Sequence, residues 1–370
     1  MPGASGAGTV AATRPLALTV LAVVVAACGP AEQPRPDGDG GTAAPTPTAT
    51  STGLQPSPST DPTPGEDEFA NPVIDTDMPD PFVLDAGERY YLYSTTNITD
   101  NYPYATSEDL VTWEPRGDAM PRLPAWANGN PWAPEVTQTS AGYVMYFTAR
   151  AAGVKRPDGA DAQCVGVAVG DTPDGPFVDD GAEPLVCQVA LGGTIDASIV
   201  RDVDGSLWLI YKNDGNCCAM PTRLYMRPMS EDGLTFAGKE VEVDGIVNDQ
   251  EWEGGVVEAP TIHHHDGTYY LFYSGNNYRS ADYAVGYATA TSLTGPYADA
   301  EENPILASGN GAIGPGHQAL AADPDGDLWM VYHAWSSSAF LERNVWIDEL
   351  RFDGGRPVVD GPDLEPQPMP

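Results

Sequence analysis

The sequence predicts an all-β domain built as a five-bladed β-propeller. Three observations carry this: a short plan repeated five times, a turn glycine at a fixed place in each copy, and no long amphipathic helical period between copies. Each copy has an acidic residue or His, a short β-prone run, a Gly turn and an aromatic-rich strand. The copies begin at Asp80 (DPFVLDAGERYYLYS), Glu135 (EVTQTSAGYVMYFTA), Asp196 (DASIVRDVDGSLWLIYK), Glu258 (EAPTIHHHDGTYYLFYS) and His317 (HQALAADPDGDLWMVYHAW). These leaders are 55, 61, 62 and 59 positions apart. Gly87, Gly142, Gly205, Gly267 and Gly326 follow them by seven or nine residues. A difference of two keeps side chains on the same strand face. Asp204-Gly205, Asp266-Gly267 and Asp325-Gly326 are favourable hairpin turns. Outer segments repeat as well: residues 107–113 resemble 230–236, and 172–177 resemble 292–297. Each repeat therefore has room for about four short strands, the content of one blade. A two-sheet sandwich does not explain five in-register repeats.

The chain has 370 residues. Arg14 precedes a twelve-residue, almost wholly apolar run at 16–27, which suits a signal peptide and is short for a membrane span. Val25-Ala26-Ala27-Cys28 resembles a bacterial lipobox, so residues 1–27 are expected to be a lipoprotein-type signal and Cys28 the lipidated residue. The alternative is an ordinary signal peptide with a chance cysteine. Residues 28–68 continue as a spacer rich in Pro, Thr, Ala, Gly and Asp, with too little apolar surface to offset chain entropy. The folded domain is placed at 69–370. A lipid-anchored, extracellular, monomeric protein on a bacterial cell membrane is the expectation. A net charge of −36 argues against nucleic-acid partners and against anionic lipid, leaving the anchor as the link to a membrane. Cys164, Cys187, Cys217 and Cys218 remain as an even set, expected to form two disulfides. Three pairings are possible; Cys164–Cys187 with a vicinal Cys217–Cys218 bridge is favoured.

Blades are related by rotation, so equivalent positions lie on a ring. The leaders Asp80, Glu135, Asp196, Glu258 and His317 are therefore expected at one end of the central channel. Crowded carboxyls hold unequal proton affinities, and one ionised and one protonated member are the equipment of glycoside cleavage. Alternatively, such leaders bond backbone groups at the channel mouth or bind a metal.

The chain resembles glycoside hydrolase family 43 over about 290 residues. The matching motifs are Pro79-Asp80-Pro81-Phe82, Trp132-Ala133-Pro134-Glu135-Val136, Ile195-Asp196-Ala197-Ser198, Glu258-Ala259-Pro260-Thr261 and Gly314-Pro315-Gly316-His317. The resemblance implies a five-bladed propeller and an inverting mechanism, with Asp80 as general base, Glu258 as general acid and Asp196 orienting the acid. Inverting pairs stand roughly 6.5–9.5 Å apart, which suits leaders facing each other across a channel. The family often carries Asp where this chain has Glu135. His317 matches a histidine found beneath the sugar near calcium or a water cluster, so it is a candidate for substrate binding and for a calcium site. No cofactor is expected to be required. The implied substrate is an arabinose- or xylose-containing plant carbohydrate, with arabinofuranosidase or arabinanase activity favoured over β-xylosidase.

Trp132 is a candidate wall for a sugar ring, or else a packed aromatic. Trp113, Trp208, Trp329, Tyr91 and Phe272 read as core between blades. Strand alternation sends His263, His264 and His265 to opposite faces, against a shared metal. Arg223 and Arg343 either reach the sugar or lie on the surface. Two other functions compete: a non-catalytic sugar-binding propeller, which would tolerate loss of an acidic leader, and a protein–protein scaffold, which predicts no polar ring.

Overall fold

The computed structural model describes residues 64–370. The expected signal segment, Cys28 and most of the 28–68 spacer lie outside the described residues. Within them, five antiparallel sheets follow in chain order. Blade I comprises Phe82–Asp85, Tyr90–Tyr93, Pro103–Ser107 and Glu114–Asp118. Blade II comprises Trp132–Thr139, Gly142–Lys155 and Asp161–Gly170; blade III comprises Thr194–Arg201, Leu207–Asn213, Leu224–Pro228 and Val241–Glu242. Blade IV comprises Val257–His265, Thr268–Gly275, Ala284–Ala290 and Ala298–Asp299, and blade V Ile313–Ala322, Leu328–Trp335, Arg343–Asp353 and Arg356–Val359. Blade II departs from the four-strand expectation. Its outer edge is reduced to isolated antiparallel bridges, Val169 with Val178 and Val165 with Val186, on the segment that leads to Cys187. Helical structure among the described residues is limited to three 3-10 turns, Val189–Leu191, Gly215–Cys218 and Glu251–Glu253.

The core is divided into five apolar clusters, one in each cleft between neighbouring blades. Alternation along each second strand explains this. Tyr211 packs towards blade II beside Tyr146, while Ile210, the next residue, packs towards blade IV beside Leu271. Each such large side chain contributes about 1.5–3 kcal/mol when buried. Phe272 and Trp329 are buried in these clefts as expected, with Tyr91, Trp113 and Trp208 half-buried against them.

The ring closes where the ends of the described chain meet. Glu68–Phe69 pairs antiparallel with Gln367–Pro368, and Phe69 meets Trp329 of blade V edge-on at 5.9 Å. Asn71 donates to Ile347 O at 2.8 Å and accepts from Ile347 N at 2.9 Å. Asp348, wholly buried on blade V, accepts from Gln367 Nε2 at 2.9 Å, from Asn71 Nδ2 at 3.4 Å, and from Tyr332. Burial pushes the Asp348 carboxyl up to about 7. A raised folded value means the native state holds a proton that the unfolded chain gives up near 3.8. This clasp therefore loses stability as pH rises from about 4 to about 7. Asp348→Asn is expected to flatten that decline: melting temperatures from pH 5 to 8 should fall less steeply in the variant, and parallel curves would refute the role.

Candidate active site

A β-bulge recurs where each innermost strand reaches one end of the channel. In blade II, Trp132 pairs with Thr148 and Glu135 with Tyr146, so Ala133-Pro134 together face Phe147. Asp196-Ala197, Ala259-Pro260 and His317-Gln318 sit in the same two-against-one arrangement. In blade I, Thr95 N donates to Pro79 O while Phe82 pairs with Tyr93, which gives Asp80-Pro81 the equivalent place. The first bulge residue is left-handed in all five blades: φ is +54° at Asp80, +44° at Ala133, +54° at Asp196, +50° at Ala259 and +51° at His317. Such a backbone costs an L-residue about 1–2 kcal/mol. Four of the five recover part of it by donating their amide to the preceding blade. Asp80 N bonds His333 Nδ1 at 3.1 Å, Ala133 N bonds Thr95 Oγ1 at 2.8 Å, Ala259 N bonds Asp196 Oδ2 at 3.1 Å, and His317 N bonds Ser274 Oγ at 2.8 Å.

This register corrects the simple ring of leaders. Asp80, Asp196 and His317 are true equivalents. Glu258 stands one residue before the bulge of blade IV, in the place that Trp132 holds in blade II and Ile195 in blade III. Glu135 stands two residues beyond the left-handed position. Shared turn spacing concealed these slips, because the hairpin fixes the far end of the strand and the bulge absorbs the difference.

The consequence is one cavity of about 330 Å³ lined by Asp80, Asp196 and His317 together with Trp132, Ile195 and Glu258. This lies at the small end of the ~300–1,000 Å³ usual for ligand pockets. Loops between second and third strands raise its walls: Arg156 from blade II, Asn216 and Cys217 from blade III, Tyr278 and Tyr283 from blade IV. Glu135 is absent from this lining. It borders a separate space of about 10 Å³ further down the channel and accepts from Ile199 N at 3.1 Å. Burial pushes its carboxyl up to about 8, which favours the protonated form at neutral pH.

Asp80 is gripped from two sides. Arg343 Nη1 donates to Oδ1 at 2.8 Å and Thr95 Oγ1 donates to Oδ2 at 2.6 Å, while His317 Nδ1 stands 3.4 Å from Oδ1. Burial resists its ionisation, but Arg343 and then His317 outweigh that, and the carboxyl lies well below the usual range. His333 Nδ1 accepts the Asp80 amide, which requires a neutral ring; burial and Arg343 hold its value down to about 4, in agreement. Arg343 in turn stands against the stacked rings of Tyr278 and Trp335, 5.3 Å from the first and 5.5 Å from the second. Glu258 accepts from Lys212 Nζ at Oε2, 2.6 Å, and from Tyr283 OH at Oε1, 2.9 Å. Asp196 has a raised value, chiefly from burial and with a contribution from the Glu258 charge, against the opposing pull of His317 and Lys212. The pocket thus holds a carboxyl kept ionised, a carboxyl with added proton affinity, and a third clamped between two donors.

A family model for "Glycosyl hydrolases family 43" matches residues 69–357. The chain belongs to glycosyl hydrolase family 43. It is accordingly a hydrolase of O-glycosyl bonds with a carbohydrate substrate. The similarity extends to a β-D-galactofuranosidase of Aspergillus niger, 28% identical over 79% of this chain and 84% of that one. An extracellular exo-α-(1→5)-L-arabinofuranosidase of Cellvibrio japonicus is 27% identical over 78% of this chain and 88% of its own length. Among solved structures, a thermostable family-43 glycoside hydrolase shares 35% identity and a TM-score of 0.73, covering 82% of this chain and 99% of that one.

Both disulfides form as favoured, Cys164–Cys187 and Cys217–Cys218. Trp132 and His317 line the cavity. Arg343 reaches Asp80, whereas Arg223 pairs with Glu242 at 3.6 Å. His263 and His265 share one strand face against Phe352, and His264 packs on Tyr269 from the other, as alternation requires. No three His, Cys, Asp or Glu side chains converge as a metal set among the described residues. Calcium prefers six to eight oxygen ligands, and His317 directs Nδ1 at Asp80. The residues present do not fit a protein-built calcium site, and no step is assigned to one. Lys212, Tyr283, Thr95 and His333 went unnoticed in the sequence. Lysine and histidine inside the apolar runs LWLIYKN and LWMVYHAW were the signal available.

Proposed function

We propose that this enzyme hydrolyses arabinose- or xylose-containing plant carbohydrates with inversion, in the manner of an α-L-arabinofuranosidase or arabinanase. The observation that carries the reading is the unequal treatment of Asp80 and Glu258 on one small cavity. Asp80 is held ionised by Arg343 and so can take a proton from water. As that water's oxygen bonds to the anomeric carbon, the glycosidic C–O bond breaks and Glu258 gives its proton to the departing oxygen. Asp196, bonded to the Ala259 amide beside Glu258, fixes the acid's backbone. Trp132 offers an apolar wall to the sugar, and His317 lies on the floor beside Asp80. The arabinofuranosidase and arabinanase names among the relatives support the sugar class, and a β-xylosidase of Bacillus subtilis, 27% identical over 72% of this chain, supports xylose as the second reading.

We also place the enzyme outside the cell as a monomer, tethered by a lipid on Cys28. The lipobox-like Val25-Ala26-Ala27-Cys28 and the extracellular descriptions of relatives support this. No helix among the described residues is long and apolar enough to cross a membrane.

The test is a panel of nitrophenyl glycosides with arabinan, xylan and arabinoxylan, followed by proton NMR of the first product formed. An initial anomer opposite to that of the substrate is expected. Retention would refute the base assignment, because a retaining enzyme uses that carboxylate as a nucleophile.

A further inference from the structure

A second ring lies behind the first. In each blade the second strand sets one polar residue beside the position that precedes the left-handed residue: Thr95, Thr148, Lys212, Ser274 and His333. Three of these do one job. Thr95, Ser274 and His333 each accept the left-handed amide of the next blade. An ammonium group has three donors and no acceptor, so Lys212 cannot do it. The Ala259 amide is taken instead by Asp196. Lys212 Nζ turns to the side chain of the next blade and meets Glu258 Oε2 at 2.6 Å.

Its other bond is to Asn216 Oδ1 at 3.0 Å. Asn216 belongs to the turn Gly215–Cys218, which the adjacent cysteines Cys217 and Cys218 tie off. The Lys212 side chain is wholly buried. Burying an ammonium is costly unless it is paired and hydrogen-bonded, and a hydroxyl suffices for stitching at two other blades. The charge therefore serves something that the stitch does not. With Lys212 on Oε2 and Tyr283 on Oε1, the Glu258 carboxyl cannot turn about its last torsion without losing a partner. Asp80, Asp196, Asp214, His317, Arg156 and Arg343 are the other charged or basic groups that line its cavity.

We propose that Lys212 is a positioning residue for the proton-donating carboxyl: it aims Glu258 at the leaving oxygen, and Asn216 holds Lys212 in place. The inference rests on Glu258 being the acid.

Leaving groups separate the two ideas. A nitrophenolate departs with little protonation, whereas a sugar hydroxyl needs it. Lys212→Met, Lys212→Arg, Asn216→Leu and Glu258→Gln would be assayed on an arabino- or xylo-oligosaccharide and on the nitrophenyl glycoside of the same sugar. Lys212→Met is expected to lower oligosaccharide kcat about tenfold or more, a fraction of the ~10²–10⁴ that acid catalysis supplies, with KM within about twofold. Its loss on the nitrophenyl glycoside should be at least about fivefold smaller, and Lys212→Arg should recover most of the turnover. Equal losses on both substrates, or an unchanged oligosaccharide kcat, would overturn the proposal. If Lys212→Met does not fold, Asn216→Leu on its exposed loop carries the same test with the same outcomes. Glu258→Gln that retains oligosaccharide turnover would instead bring down the acid assignment itself.

Discussion

Glu258→Gln is expected to lower kcat on oligosaccharide substrates about 10³-fold while sparing nitrophenyl glycosides to a much greater degree. The substitution preserves shape. The amide oxygen can still accept from Lys212 and the amide nitrogen can still meet the Tyr283 hydroxyl, so the pocket keeps its form and only the transferable proton is lost. Steady-state kinetics on the two substrate classes provide the check. Equal loss on both would mean that Glu258 binds or shapes the sugar and does not protonate the leaving group.

Asp80→Asn should behave in the opposite way. Water must be deprotonated whatever the leaving group, so turnover of both classes should fall about 10³-fold or more. The pH profile tests the same residue more finely. Asp80 works ionised, and Arg343 and His317 hold its carboxyl well below the ordinary 3.8. The acidic limb of kcat/KM is therefore expected at unusually low pH. Arg343→Met removes the strongest of the groups favouring ionisation and should move that limb upward by about one pH unit, the scale of a nearby charge. An unmoved limb would exclude Asp80 as the group that titrates there. Stability follows the same sign. A depressed folded value contributes stability that is complete above 3.8 and is lost as pH falls towards the folded value. The low limb and the acid unfolding of the protein therefore converge.

The blade count and the identity of Asp80, Asp196 and His317 were legible because both rest on period. Turn glycines recur at fixed offsets, and strand alternation turns those offsets into faces. The exact seats of Glu258 and Glu135 were not legible. A bulge inserts one residue on one strand and leaves the alternation within each flank intact, so the turn spacing pointed to Glu135 as the blade II leader where the left-handed seat is Ala133. Only hydrogen-bond register separates them. Lys212 and His333 were hidden for another reason. Each lies in an apolar strand where a single polar residue reads as noise, and its meaning comes from the neighbouring blade, 46 residues later for Lys212 and 253 earlier for His333. The arginine on Asp80 is invisible to local pattern, because ring closure brings Arg343 across 263 positions of sequence.

The five left-handed positions also bear on how such an enzyme can change its trade. Their backbone is the same in every blade and in four of the five is secured by its own amide, so the left-handed bend does not depend on one kind of side chain, though Asp196 also lends its carboxyl to the Ala259 amide. Asp, Ala, Asp, Ala and His occupy one mould. It works like a turret with five seats, of which three, those of Asp80, Asp196 and His317, open on the cavity. The two alanine seats are buried against a space of only about 10 Å³, so the three open seats are the places where exchanging a side chain changes the chemistry while the frame stands.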